Sequence, residues 1–198
     1  MSEQVLALIL FAVVATSSPG GATTLVTASG ARFGYRRSLP LILGIALALA
    51  TLVAVSGTSF ATTIIAAPSL HLAAKGIGSI YLLWLAAKIG LAGPPAASKA
   101  NSQQPIGFLG GAMLLLVNPK AWAMALAVAS SFSQIAVHPT TLGFILATIF
   151  AVAACLSLSV WALAGSVVAR TLSRAWHWHM FNWTMAVLLL ASIVMFWV

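Results

Sequence analysis

Apolar runs of membrane length, parted by short polar intervals, are the dominant pattern of this sequence. Six of them fall at about residues 4–28, 39–66, 69–92, 106–133, 140–169 and 179–198, each near or above the roughly 20 residues that a helix needs to cross a bilayer. The pattern predicts an all-α integral membrane protein, six transmembrane helices in a single transmembrane domain over residues 1–198. The third run carries the most charge, since between Lys75 and Lys88 only GIGSIYLLWLAA is uncharged. Two lysines near opposite ends of a helix snorkel to the two interfaces and let it span. The first run reads as a span rather than a secretory signal, because MSEQ carries a glutamate and no Lys or Arg and the apolar run exceeds a signal core.

Two of the runs are interrupted in a matching way. Laid over each other at an offset of about one hundred residues, VATSSPGGATTLVTASG (14–30) and LLVNPKAWAMALAVASS (115–131) both read small polar residue, proline, then a tail rich in small residues, the mark of an internal repeat. Pro19 and Pro119 fall at corresponding places in spans one and four. Three spans lie between them, so the second copy enters from the opposite side, giving two inverted three-helix repeats with broken helices 1 and 4. The halves are about 1–92 and 106–198. Between them, LAGPPAASKANSQQPIG (91–107) has the Pro, Ser, Asn and Gln content of an exposed connector, set at 93–105.

Composition places the chain in the membrane independently of any helix count. Hydrophobic residues make up 62% and charged residues 5%, with a mean hydropathy of +1.09, far outside the range of soluble domains. Nine Lys and Arg stand against one acidic residue. Arg32, Arg36, Arg37, Lys88, Lys99, Arg170 and Arg174 fall in or beside the intervals after spans one, three and five, whereas the alternate intervals hold only Lys75. By the bias of cytoplasmic loops toward Lys and Arg, both termini are expected outside. The net charge of +8 is thus a topology signal scattered over short loops, and no nucleic-acid partner is implied. Cys155, the single cysteine, permits neither an internal disulfide nor a thiolate metal site.

Candidate chemistry gathers at the interruptions. Pro119 cannot donate to the helical ladder and crowds the preceding turn, so carbonyls near Leu115 and Leu116 are expected to lose their partners. Such groups persist at membrane depth only where protein or a watery cavity satisfies them. Lys120 adds a cation that costs about 2.5–3.5 kcal/mol at a helix centre, roughly 15 Å from either interface and beyond the reach of snorkelling. Glu3 is the only carboxylate side chain, so an acid for Lys120 has to arrive with a ligand. Pro19, Gly20 and Gly21 make the second weak point. Two broken helices meeting near the midplane would present N–H groups to an anion and carbonyls to an ammonium, which suits a zwitterionic amino acid. Ser17, Ser18 and Thr23 add hydroxyls. The candidate substrate-binding residues are therefore Ser17, Ser18, Pro19, Gly20, Gly21, Thr23, Asn118, Pro119 and Lys120, with Tyr81 and Trp84 as aromatics on one face of span three.

Plainer readings stand beside these. The prolines can be simple kinks, Asn118 a helix-to-helix hydrogen bond, Tyr81 and Trp84 packing, and Lys120 a structural cation on carbonyls. Gly44 and Ala48 form a small-xxx-small pattern for close helix approach. Trp176 and Trp178, with His177 and His179 beside Arg170 and Arg174, fit an interfacial belt better than a metal site, and His71 and His138 lie near outer span ends. An enzyme is disfavoured, since the chain has no Asp and no serine-histidine pair in a recognisable elbow; no catalytic, metal-binding or cofactor residues are assigned. A metal-ion exporter would need clustered carboxylates, cysteines or histidines within spans, and against a non-transporting membrane subunit stands the insertion cost of Lys120. Monomer and homodimer are both open.

Three blocks, SSPGGATTLVTASGARFGYRRSLPLILGIALA (17–48), GSIYLLWLAAKIG (78–90) and GFLGGAMLLLVNPKAW (107–122), resemble in order and spacing the lysine exporter and homoserine/threonine-resistance family of bacterial amino-acid exporters. The resemblance covers essentially the whole chain. WALAGSVVARTLSRAW (161–176) is similar to the branch associated with cysteine and O-acetylserine export. What this implies is a secondary transporter in the bacterial inner membrane that exports amino acids or close derivatives, coupled to protons or to the membrane potential, with Lys120 as the obvious proton carrier. Here Gly21 stands where the family usually carries a second proline, and no intramembrane acid awaits a cationic substrate, so small neutral amino acids are the expected cargo.

Overall fold

Backbone polar groups in hydrocarbon must find partners within their own segment, and long apolar runs do so as helices. The computed structural model describes residues 2–56, 68–92 and 104–197, and among these every extended element is helical. In chain order they are α1 (Ser2–Ser17), α2 (Gly21–Phe33), α3 (Tyr35–Ser56), α4 (Pro68–Gly90), α5 (Phe108–Leu116), α6 (Pro119–Ser131), α7 (Pro139–Thr171) and α8 (Ala175–Trp197), with one 3-10 turn at Ser133–Ile135. α3 and α7 are each long and apolar enough to cross a membrane. The pairs α1 with α2 and α5 with α6 bend by 60° and 68° at breaks of a few residues, and counting each pair as one span raises the number to four. Both interruptions expected from the sequence are therefore real bends.

Several boundaries differ from expectation. The first run continues as helix to Phe33 and the next begins at Tyr35, so Arg32, Arg36 and Arg37 belong to helix ends rather than to a loop. Gly34 alone separates them. It makes the reversal at φ +80°, where a side chain would be strained, while its N–H still bonds the carbonyl of Gly30 at 2.9 Å. Likewise Arg170 ends α7 and Trp176 to His179 lie within α8. Hydropathy marks the lipid-soluble part of a helix, not where its hydrogen-bond ladder stops. The end of the second expected run and most of the 93–105 connector lie outside the described residues.

α3 and α7 pack against each other and against the broken pairs, while α4 pairs with α8 at the side. α7 shows how the sequence divides its faces. Gly143, Ala153, Ala154, Ser157, Ala162 and Gly165 are buried, whereas Leu156, Val160, Leu163 and Val167 are 48–66% exposed. Leu142, Leu146, Phe150 and Leu158 are buried with them, so the inner face combines small residues that let backbones approach closely with large apolar residues that fill the remaining space, and the close packing drives helices together in lipid.

Glycines set the closest crossings. A Cβ on Gly30 would meet the carbonyl of Ala162, one on Gly165 that of Thr27, and one on Gly44 that of Phe108; Ser166 Oγ also bonds the carbonyl of Gly30 at 2.9 Å across the first crossing. The small-residue reading of Gly44 holds. Gly30→Ala is expected to lower the melting point of detergent-solubilised protein by the equivalent of about 1–3 kcal/mol, the usual cost of overpacking. Gly76→Ala, where a Cβ meets nothing within 4 Å, should instead gain up to about 1 kcal/mol from helix propensity; thermal unfolding of the two variants side by side checks the contrast.

Candidate functional site

The sequence Asn118-Pro119-Lys120 is a helix start. Asn118 adopts φ −89° and ψ 107°, and its side-chain oxygen accepts the N–H of Lys120 at 3.0 Å. This is an N-cap with proline at the first helical position, where no N–H is required. The plainer sequence reading of Asn118 as a helix-to-helix hydrogen bond is corrected to an intrahelical cap, and the side chain is buried, 5% exposed. The carbonyls expected to be free are not. Leu115 accepts the N–H of Asn118 at 3.0 Å, and Leu116 accepts the Trp122 indole N–H at 2.7 Å.

At the first break α1 ends and α2 begins at Gly20, whose extended backbone is held by Thr23. The Thr23 hydroxyl oxygen accepts the Gly20 N–H at 2.8 Å and donates to the Gly20 carbonyl at 2.9 Å. The C-terminal carbonyls of α1 are closed from α7 instead. Ser157 Oγ donates to the carbonyl of Thr16 at 3.0 Å and the Trp161 indole to that of Ser17 at 3.1 Å.

Lys120 joins the two breaks. Its ammonium donates to Ser18 Oγ at 2.7 Å, to the Ser18 carbonyl at 3.1 Å and to the Pro19 carbonyl at 3.4 Å. A cation in the first turn of α6 opposes that helix's dipole, but its side chain reaches the negative end of α1, where the sign is favourable. Each hydrogen bond to a charged group is worth about 1.5–3 kcal/mol, which offsets the insertion cost without any acid.

Over this bridge lies a chamber of about 50 Å³ lined by Ser18, Gly20, Gly21, Thr23, Asn118 and Lys120, among others. So the structure brings together most of the residues expected at the breaks. Pro19 and Pro119 shape the bends. Ser17 contributes its carbonyl, already taken by Trp161. Trp84 is not brought there: it is half exposed on α4, with the Lys88 ammonium 4.8 Å from its ring centre. Tyr81 belongs to α4, and its side chain is outside the described residues. Sequence reasoning missed Ser157, Trp161 and Trp122, which close carbonyls at the breaks. Nothing local marks Ser157 or Trp161, which sit in a continuous apolar helix; the Asn-Pro pair, by contrast, is a helix-start signal. Among the described residues no group of three or more His, Cys, Asp or Glu could hold a metal ion.

The model of the LysE type translocator family matches residues 13–196, and the chain belongs to that family of membrane transporters, which are not enzymes. It is similar to the proteins named cysteine/O-acetylserine efflux protein in Salmonella choleraesuis (strain SC-B67), Salmonella typhi and Salmonella typhimurium (strain LT2), 28% identical over 123 residues in each case, 62% of this chain and 62% of the relative. The alignment thus spans less than two thirds of those relatives' length. No solved structure matches the chain.

If Asn118 is chiefly a cap, Asn118→Ser should retain stability to within a few tenths of a kcal/mol and Asn118→Ala should lose about 0.5–2 kcal/mol, read as melting points in the same detergent.

Proposed function

We propose that this chain is a secondary transporter exporting small neutral amino acids or close derivatives from the cytoplasm across the bacterial inner membrane. The observation that carries the reading is the Lys120 ammonium bonded to Ser18 and Pro19 across two opposed helix breaks. A substrate carboxylate approaching Lys120 finds one weak acceptor to displace, the Pro19 carbonyl at 3.4 Å, and an ionised acceptor is worth roughly twice a neutral one. The substrate ammonium then has the vacated Pro19 carbonyl. The names of the Salmonella relatives fit the same cargo class, as does the lack of any acid but Glu3 for a cationic side chain.

In this reading α1 with α2, α3 and α4 form one three-span repeat and α5 with α6, α7 and α8 its inverted copy, both termini periplasmic. Support comes from the exchange of partners between halves: the first broken pair packs on α7, the second on α3, while α3 meets α7 and α4 meets α8. Coupling to protons or to the membrane potential fits the placement of the Lys120 cation at a helix break, and the site is complete within one copy, so monomer and homodimer both serve.

The test loads cells with dipeptides and compares amino acids appearing outside with an empty-vector control. Release of a neutral amino acid supports the exporter; protection against a heavy metal without such release would favour a metal-ion exporter instead. Lys120→Met should insert and lose efflux about ten-fold or more, the loss of one charged hydrogen bond. Wild-type export by that variant would remove Lys120 from the mechanism.

A further inference from the structure

A second and much larger cavity, about 540 Å³, opens where the C-terminal ends of α2 and α4 meet the N-terminal ends of α5 and α8. This is the basic end of the molecule, the end that the Lys and Arg distribution assigns to the cytoplasm. Arg32 from α2 and Lys88 from α4 both line it, and no acidic residue does. Lys88 rests on a π face rather than on a carboxylate. Asn182 from α8 also lines the cavity and is 6% exposed, and its amide nitrogen donates to the carbonyl of Ala92. The cavity therefore offers cations to an anion and a carbonyl-type acceptor to an ammonium, with Leu25 and Ile106 in its apolar wall.

Size separates the two cavities. At about 50 Å³ the chamber over Lys120 holds water and little more, a water's share of liquid being about 30 Å³. The basic cavity admits a whole small amino acid. We propose that it is a second, cytoplasmic binding site that takes the carboxylate of a small neutral amino acid between Arg32 and Lys88, with Asn182 on the ammonium, before the cargo passes to the helix breaks. This rests on the reading above that the chain carries amino acids. It places first capture at the membrane edge, where Arg32 and Lys88 face water at one side, so the desolvation cost of the zwitterion is met in two steps rather than one.

The test uses the full chain with Ala28→Cys in a Cys155→Ala background, in phosphatidylcholine nanodiscs, and reads the rate at which a water-soluble maleimide modifies residue 28 on the cavity wall. The probes are L-serine, L-threonine and L-alanine. At about ten times its Kd at least one should slow modification about ten-fold, whereas its amide, lacking the carboxylate, should not. Arg32→Gln or Lys88→Gln should abolish the protection and Lys88→Arg should keep it; Ser173→Cys, exposed at the same end, should react at one rate throughout. No protection by any probe, equal protection by the amide, protection that survives both glutamine substitutions, or protection by dihexanoyl phosphatidylglycerol but by no amino acid would each overturn the site. Efflux from dipeptide-loaded cells is read separately. Export without protection sinks this site and leaves the exporter standing, and protection without export does the reverse.

Discussion

A helix that breaks inside a membrane strands carbonyls and amides away from bulk water, and the arrangement of the site follows from how those groups are closed. The ammonium of Lys120 is the decisive closure. Asn118 and Pro119 start α6 where the Lys120 side chain reaches the end of α1. Three acceptors then meet its three N–H donors, so the costliest residue in the membrane becomes the cap of the neighbouring break. The cap, the proline and the cation form one device: remove the cap and the first turn of α6 loosens, and with it the position of the charge.

The two breaks are not equivalent. The second is closed by its own sequence, since Asn118 caps α6 and Trp122 reaches back six residues to Leu116. The first borrows from elsewhere: Ser157 and Trp161 from α7, Lys120 from α6. A displacement of α7 against α1 therefore exposes the carbonyls of Thr16 and Ser17, and one of α6 those of Ser18 and Pro19, while the second break travels intact. Glycine crossings make α2 the better anchored half of the first pair, because its backbone touches that of α7 at Gly30 and Gly165. Of the elements at the site, α1 is thus the one whose hydrogen bonds depend most on its neighbours' positions.

Much of this was legible in the sequence, for reasons that can be named. Apolar length gave the helices, and proline, beside glycine at Pro19 and after asparagine at Pro119, gave both bends, because each signal is local and backbone chemistry leaves few alternatives. The pairing of Lys120 with the first break was inferable from insertion cost and the near absence of acids. Its form was not: the sequence suggested carbonyls waiting for a ligand, whereas neighbouring side chains occupy them. Ser157 and Trp161 act across 141 and 144 positions of chain, and a serine or tryptophan in an apolar helix looks the same whether it faces lipid or a stranded carbonyl. Trp84 illustrates the converse, an aromatic with plausible spacing whose partner is a lysine one turn along its own helix.

Nine cations and one acid cannot be balanced by ion pairs, and the consequence reaches the function. Lys120 rests on carbonyls and a hydroxyl, Lys88 on the Trp84 ring, and Arg37 lies 5.6 Å from the centre of the Phe33 ring. Neutral acceptors and π faces stabilise a cation enough to bury or order it, by about 0.5–2 kcal/mol for a ring, but less than a carboxylate at contact distance does. Each such cation gains when an anion arrives from solution. Had the chain supplied an aspartate to Lys120, the internal pair would be the better one, and an incoming carboxylate would have to displace a charge rather than a dipole. In the proposed exporter, the scarcity of acids leaves Lys120 and Lys88 on neutral acceptors that an incoming carboxylate can replace.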